Sequence, residues 1–415
     1  MVFIYNVGVF GLRLAYRVAC LFNAKARAFQ RGRTSQRTAF ALAFPLKNEE
    51  RLIWFHCASL GEFEQGRPVL EAIRSWDPTL KILLTFFSPS GYELGKKYEG
   101  VDFVFYLPWD TSRNAQSFVE SIQPALVIFV KYEFWHHYTS ALHQRNIPLI
   151  SISSIFRSDQ IFFKAYGSFF RNILKNFKHF FVQNQQSVEL LQSIGITAVS
   201  KNGDTRFDRV HEITQSAESI PIAQQFKNEK KLMVVGSAWP EDMNVLIPFM
   251  NEKKGNLKFI VAPHEISDDF MSSIEKEFLG NVVRYSTADE TSVKAADVLL
   301  IDNIGLLSRL YQYGDTAYVG GAFGQGLHNI LEAASCGIPI FFGNKGNERY
   351  QEAIDLIEKG GAFEVADSTM LESSFARLMA NPDTFRQACD TTRQYVLNNL
   401  GATERILTYF KETLG

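Results

Sequence analysis

The 415-residue sequence holds only four cysteines, Cys20, Cys57, Cys336 and Cys389, and no two are close together. No CxxC occurs, and none of the eight histidines completes an HExxH or a Cys/His set with zinc spacing. A disulfide framework and a zinc module have no basis here; reduced, partly buried thiols are the plain reading. No Walker A sequence is present, and no carboxylate run resembles a metal site. The formal net charge is −1, so no global field draws in nucleic acid. Glycine and proline, at 27 and 13, are too sparse for a low-complexity or collagen-like chain. With 46% hydrophobic and 21% charged residues the chain is globular, and its length implies two domains. Phenylalanine is abundant, at 36 residues, which suits large buried clusters or a surface that meets lipid.

Residues 1–45 contain no acidic side chain. They carry seven basic ones: Arg13, Arg17, Lys25, Arg27, Arg31, Arg33 and Arg37. The first half of this span is strongly apolar. At 100° per residue, Asn6, Arg13, Arg17 and Arg31 fall within about 40° of one another, and the rest of the cylinder is greasy. This pattern fits an interfacial helix followed by a polybasic segment suited to anionic lipid. A single tilted span and a soluble core helix remain open, since the apolar stretch is just long enough to cross a bilayer. A cleaved signal peptide is disfavoured because the positive charge follows the apolar run. The basic flank places the protein body on the cytoplasmic side.

Beyond this segment the pattern alternates strands and helices. Strands are expected at 52–59, 81–88, 101–108, 124–135, 147–156 and 179–184, then at 231–238, 258–263, 297–303, 316–323, 338–344 and 361–367. They are short, aromatic and β-branched with nearly continuous apolar character, as in parallel sheets buried on both faces. A polar, weakly patterned stretch, 211–226, separates the two sets. The expected organisation is a membrane-associating segment at 1–33, a first domain at 34–212, a linker at 213–226, a second domain at 227–395 and a C-terminal helix at 396–415. The last helix is free to pack on either domain. Two consecutive α/β sets imply two doubly wound, Rossmann-like domains facing an interdomain cleft.

In such sheets ligands bind beyond the C-terminal strand ends. The first strand runs into Ser59-Leu60-Gly61-Glu62, which puts the Glu62 carboxylate at a helix start. Such a carboxylate also has a plain use as a capping group. Glu133 ends another strand, with Tyr132, Phe134 and Trp135 beside it as a sugar-stacking wall or as core. Two glutamates at strand ends in one half make a paired-carboxylate site plausible. In the second half Gly320-Gly321 ends a strand, and glycines precede a helix expected to start near His328. Its first turn would hold His328 and Asn329, with Glu332 one turn on, and its free N–H groups would suit a phosphate.

Seven segments, in order, carry a resemblance: WFHCASLGEFEQGRPVLEAIR (54–74), LLTFFSPSGYE (83–93), YLPWD (106–110), YEFW (132–135), GDTRFDR (203–209), GSAWPED (236–242) and VGGAFGQGLHNILEAASCGIPIFFGNKGN (319–347). The chain resembles the lipid A-specific 3-deoxy-D-manno-octulosonic acid (Kdo) transferases, glycosyltransferase family 30, nearly end to end. The resemblance implies a GT-B enzyme of the inner membrane's cytoplasmic face. It would transfer Kdo from CMP-Kdo to the glucosamine disaccharide of a lipid A precursor, with inversion and without cofactor or bound metal. It places the catalytic base on Glu62 and a second acidic residue on Glu133. Donor contacts would fall on Arg206, Pro263, His264, Ile304, Gly305, Leu306, Gly321, His328, Asn329, Ile330, Leu331 and Glu332. This chain departs from the family's usual Pro-Arg-His at Pro263-His264-Glu265, from Gly-Glu-Leu at Gly305-Leu306-Leu307, and from GGHNP at 326–330. The implied partners are CMP-Kdo, the lipid A precursor and an anionic membrane surface, with no nucleic acid. Two other readings compete: a metal-independent GT-B enzyme with a UDP-sugar donor, and a membrane-bound two-domain binding protein without catalysis.

Overall fold

The structure is a computed structural model and describes residues 1–23, 26, 27, 29–33 and 50–414. Lys25, Arg37 and the expected start of the first domain at residue 34 lie outside these residues. The chain divides into two units, Met1–Asp208 together with Leu400–Gly415, and Arg209–Asn399.

The first unit is built on a parallel sheet of seven strands: β1 Leu52–Cys57, β2 Lys81–Phe86, β3 Phe103–Tyr106, β4 Leu126–Val130, β5 Leu149–Ser154, β6 His179–Val182 and β7 Val199–Lys201. Their order is β3-β2-β1-β4-β5-β6-β7. Every residue of β1, β4 and β5 is buried, which is why these strands read as unbroken apolar runs. One face packs Trp54, Leu83, Phe129 and Phe180 under its helices. The other buries Phe55, Ile82 and Ile128 together with Ile406 and Phe410 of the C-terminal helix, Ala402–Leu414. That helix, left open between two domains by its sequence, packs on the first. Asp208 fixes its start by accepting the Gly401 and Thr403 N–H groups, each at 2.7 Å.

The N-terminal helix, Val2–Phe22, also docks on this unit. The Tyr5 hydroxyl donates to Asp110 at 2.5 Å, and Asn6 Oδ1 bonds His137 Nε2 at 2.6 Å. Tyr16 stacks on Phe29 with ring centres 4.4 Å apart. Tyr5, Val9, Arg13, Tyr16 and Cys20 form the partly covered stripe. Phe3, Ile4, Val7, Phe10, Leu14, Val18, Leu21 and Phe22 remain exposed. At 100° per residue these eight fall in an arc of about 120° on the opposite face.

The second unit repeats the architecture with β8 Lys231–Ala238, β9 Leu257–Pro263, β10 Val282–Arg284, β11 Val298–Leu300, β12 Thr316–Val319, β13 Ile340–Gly343 and β14 Ala362–Val365, in the order β10-β11-β9-β8-β12-β13-β14. Chain order reverses between β1 and β4 in the first sheet and between β8 and β12 in the second. These switch points open crevices at the carboxyl ends of the strands.

All twelve expected strands are present. Two more, β7 and β10, escaped because each is a three-residue edge strand paired on one side only and not fully buried. The expected linker is helical, with helices Thr205–Gln215 and Pro221–Lys227. Ala223 and Phe226 are buried in the second. The helix expected near His328 begins at Leu331 and runs only to Ser335. His328 and Asn329 therefore lie on the loop before it, and Glu332 is in its first turn.

Candidate active site

Glu62 sits where β1 hands over to the helix Leu60–Trp76. Ser59 caps that helix in an extended conformation, and its hydroxyl accepts the Glu62 N–H at 3.5 Å. The Glu62 side chain reaches back, and its Oε2 accepts the N–H groups of Ala58 at 2.5 Å and Ser59 at 3.1 Å. This reciprocal capping box immobilises one carboxylate oxygen. Oε1 makes no hydrogen bond to any described residue. The capping and catalytic uses are therefore compatible in a single side chain. Burial pushes the Glu62 carboxyl up first, the Glu133 charge pushes it further, and His56 and the two N–H donors oppose them. The result is about 7, against an ordinary 4.5.

Glu133 reaches the same place from β4. Lys131, at φ +63°, turns the chain left-handed directly after the strand, and its carbonyl is held by the Ser154 hydroxyl at 2.8 Å. Left-handed conformations of non-glycine residues persist where surrounding bonds over-determine them. Glu133 Oε2 then receives the Trp135 indole N–H at 2.5 Å and lies 3.2 Å from His56 Nε2. His56 is completely buried on β1, between Thr85 and Phe129 in register. Trp135 stacks on Phe87 at 5.2 Å, while Phe134 packs into the core against Phe156. His56 was not singled out as a site residue in the sequence, whereas Trp135 was read there as part of a sugar-stacking wall or as core. The available signal for His56 was a lone imidazole inside an otherwise apolar strand.

In the second unit, Ser237 at φ +52° turns the chain at the end of β8 toward Trp239. The Trp239 indole donates to His328 Nε2 at 2.9 Å, so the His328 hydrogen sits on Nδ1. The exposed His264 ring stacks on Trp239 at 4.3 Å and lies 4.4 Å from that of His328. Burial, and secondarily His264, lower His328 to about 4. It offers a neutral N–H donor at pH 7 rather than a positive charge.

Gly320 and Gly321 are required here for space. A Cβ on Gly320 would meet the Ser237 carbonyl at 2.3 Å. Gly321, at φ +97°, would meet the Gly326 carbonyl at 2.2 Å and His328 at 2.9 Å. Buried Asp242 ties the two strand ends together. It accepts the N–H groups of Trp239 and Gly321, both at 2.9 Å, and the Tyr318 hydroxyl at 3.0 Å.

The expected donor contacts are thus gathered unevenly. His264, Gly321 and His328 meet around Trp239. Pro263 closes β9 and is buried. Asn329 caps the short helix, accepting the Leu331 N–H and donating to Glu332, both at 3.2 Å. Ile330 and Leu331 are wholly buried, so their side chains are not surfaces for a ligand. Ile304 is 92% exposed on the turn with Gly305, and Leu306 precedes the helix Leu307–Leu310. Arg206 belongs to the first unit, where its guanidinium pairs with Asp204 at 2.8 Å. Among the described residues, no three His, Cys, Asp or Glu side chains are placed to hold a metal ion.

Residues 32–209 match a family described as "3-Deoxy-D-manno-octulosonic-acid transferase (kdotransferase)". A 3-deoxy-D-manno-octulosonic acid transferase from Aquifex aeolicus is 29% identical over 342 residues, covering 81% of this chain and 88% of that protein. One from Chlamydophila psittaci is 28% identical over 347 residues, covering 80% and 78%. Among solved structures, UDP-GlcNAc 2-epimerase from Neisseria meningitidis superposes with a TM-score of 0.61 at 15% identity, over 88% of this chain and 99% of that one. At that identity the likeness speaks for the two-sheet fold alone. The first unit thus resembles the Kdo transferase family over residues 32–209, and relatives described as Kdo transferases are similar to about four fifths of the chain at 28–29% identity.

Proposed function

We propose that this glycosyltransferase moves Kdo from CMP-Kdo onto a glucosamine hydroxyl of a lipid A precursor, inverting the anomeric centre in one displacement. The observation that carries this reading is the Glu62 carboxylate. A sugar hydroxyl is a poor nucleophile at neutral pH and needs a base with a proton affinity near that pH. Glu62, brought to about 7 with one oxygen clamped and the other free, has that property. A single carboxylate base acting on one face gives inversion, as in inverting glycosidases. The donor's own carboxylate adjoins its anomeric carbon and offsets positive charge developing there. His264, His328 and Trp239 offer the cytidine monophosphate stacking surface and an N–H donor. The leaving group is a monophosphate, and no resident metal is proposed.

The acceptor is a lipid, and the N-terminal helix supports delivery at a membrane surface. Among the described residues it is the one helix long and apolar enough to cross a bilayer. Yet Tyr5 and Tyr16, separated by about 16 Å of helix axis, both dock on the first unit. A helix laid along its own domain presents its apolar arc sideways, which suits lying in the interface of an anionic leaflet. We propose the cytoplasmic face of the inner membrane.

Incubation with CMP-Kdo and a tetraacylated lipid A precursor, read by mass spectrometry, tests the reaction. Addition of Kdo mass is expected, and Glu62→Gln should lower turnover at least 100-fold while CMP still binds. Normal turnover by that variant removes Glu62 as the base.

A further inference from the structure

The pair behind Glu62 contains more hydrogen-bonding detail than the base reading uses. His56 Nδ1 lies 3.1 Å from the Thr85 carbonyl and 2.9 Å from its hydroxyl. The carbonyl only accepts. The hydroxyl already receives the Trp54 indole N–H at 2.8 Å and gives its own hydrogen to the Phe55 carbonyl at 3.3 Å. Both groups therefore act as acceptors toward the ring, and Nδ1 carries a hydrogen. This leaves Nε2 facing Glu133 Oε2 at 3.2 Å. A bare nitrogen lone pair against a carboxylate oxygen in a fully buried setting is repulsive, so one proton must lie between them. The Trp135 N–H on the same oxygen favours charge on the carboxylate. The proton thus belongs on the ring.

Resting on the reading of Glu62 as base, we propose that His56 is a positioning residue. It holds one proton against Glu133, so that of the two carboxylates Glu62 alone is free to take the acceptor's proton. Without the shared proton, two neighbouring carboxylates would compete for the hydrogen leaving the acceptor hydroxyl. With it, Glu133 is neutralised by its partner, and the acceptor O–H bond breaks toward Glu62 as the new glycosidic bond forms. Among the described residues, four titratable groups bear on Glu62. Glu133 and His56 come from β4 and β1, the Cys57 thiol lies beneath, and the Tyr132 hydroxyl, bonded to Arg157, lies beside it. Among the described residues, His56 opposes the Glu133 charge at Glu62.

The test is the acid limb of the kcat/KM profile for Kdo transfer in the full chain, for the native protein, His56→Gln, Glu133→Gln and the double variant. Removing His56 should move the limb up by about one pH unit, and removing Glu133 should move it down by a similar amount. The double variant should return near the native position. Limbs that stay fixed, or single variants that shift in the same direction, overturn the proposal even if rates fall. If Glu62→Gln turns over normally, it is the base reading that fails instead. Should His56→Gln not fold, 15N spectra of the histidine-labelled native chain decide. A hydrogen on both ring nitrogens of His56 at pH 7 in the native chain supports the proposal; an unprotonated Nε2 overturns it.

Discussion

A carboxyl group that keeps its proton to about pH 7 in the folded chain, but loses it near 4.5 when unfolded, links stability to pH. Below pH 4.5 both states are protonated and Glu62 contributes no slope. Between 4.5 and 7 the unfolded state ionises first, so native stability falls as pH rises, and above 7 the loss is complete. The size is roughly 3.5 kcal/mol, from about 1.4 kcal/mol per pH unit between 4.5 and 7. Glu62→Gln removes the titration and should therefore gain melting temperature over the native chain on going from pH 5 to pH 8, by several degrees. Parallel Tm curves across that range would contradict the raised proton affinity. The same residue shows what was legible beforehand. Serine three positions before glutamate at a strand end is a capping box on paper, and a carboxylate at a strand's carboxyl end is a site candidate by topology. Its partner Glu133 was legible as a second strand-end carboxylate, but His56 was not. A buried strand histidine reads as core, and Glu133 lies 77 residues away from His56 in sequence. Asp242 was hidden for the same reason, since its link to Gly321 spans 79 residues.

At the level of elements, strands buried on both faces declare themselves through unbroken apolar runs, whereas β7 and β10, three residues each at sheet edges, carry too little pattern to register. The loop at 321–330 failed for a different reason. Its glycines feed a compact turn in which the Gly321 carbonyl accepts N–H groups from Gly324, Gln325 and Gly326, and this delays the helix to Leu331. The sequence pattern grouped Asn6 with Arg13, Arg17 and Arg31 on one polar face but did not show that Asn6 bonds His137. Tyr5 and Asn6 bind the protein, and the apolar arc faces away. Removing residues 1–33 would thus strip Phe29, which is buried against Trp109. The cleaner probe is Phe10→Asp with Leu14→Asp, both on the exposed arc. Each buried apolar side chain is worth about 1.5–3 kcal/mol, so vesicle binding should fall more than tenfold with Tm unchanged. Retained co-flotation with anionic vesicles would move the lipid contact elsewhere.

For the whole molecule, the chain leaves its first unit at Asp208, completes the second, and returns at Leu400. One face of the first sheet is therefore covered by residues that follow the second unit in sequence. Ile406 and Phe410 are fully buried against it, Asn202 donates to the Ala402 carbonyl at 2.9 Å, and Arg405 donates to the Asn202 carbonyl at 2.5 Å. The second unit, Arg209–Asn399, is continuous in sequence. Ending the chain at residue 399 removes the burial of two large apolar side chains, about 3–6 kcal/mol, and leaves the Asp208 carboxylate without the Gly401 and Thr403 N–H groups. This is a large part of the 5–15 kcal/mol that holds an ordinary domain together. The truncated chain should show its two units melting apart, the first destabilised and open to protease in the β5–β7 region, the second unchanged. A CMP-binding signal that survives truncation while Kdo transfer is lost is expected if the donor is held by the second unit. Equal destabilisation of both units would show that the returning helix supports the second as well.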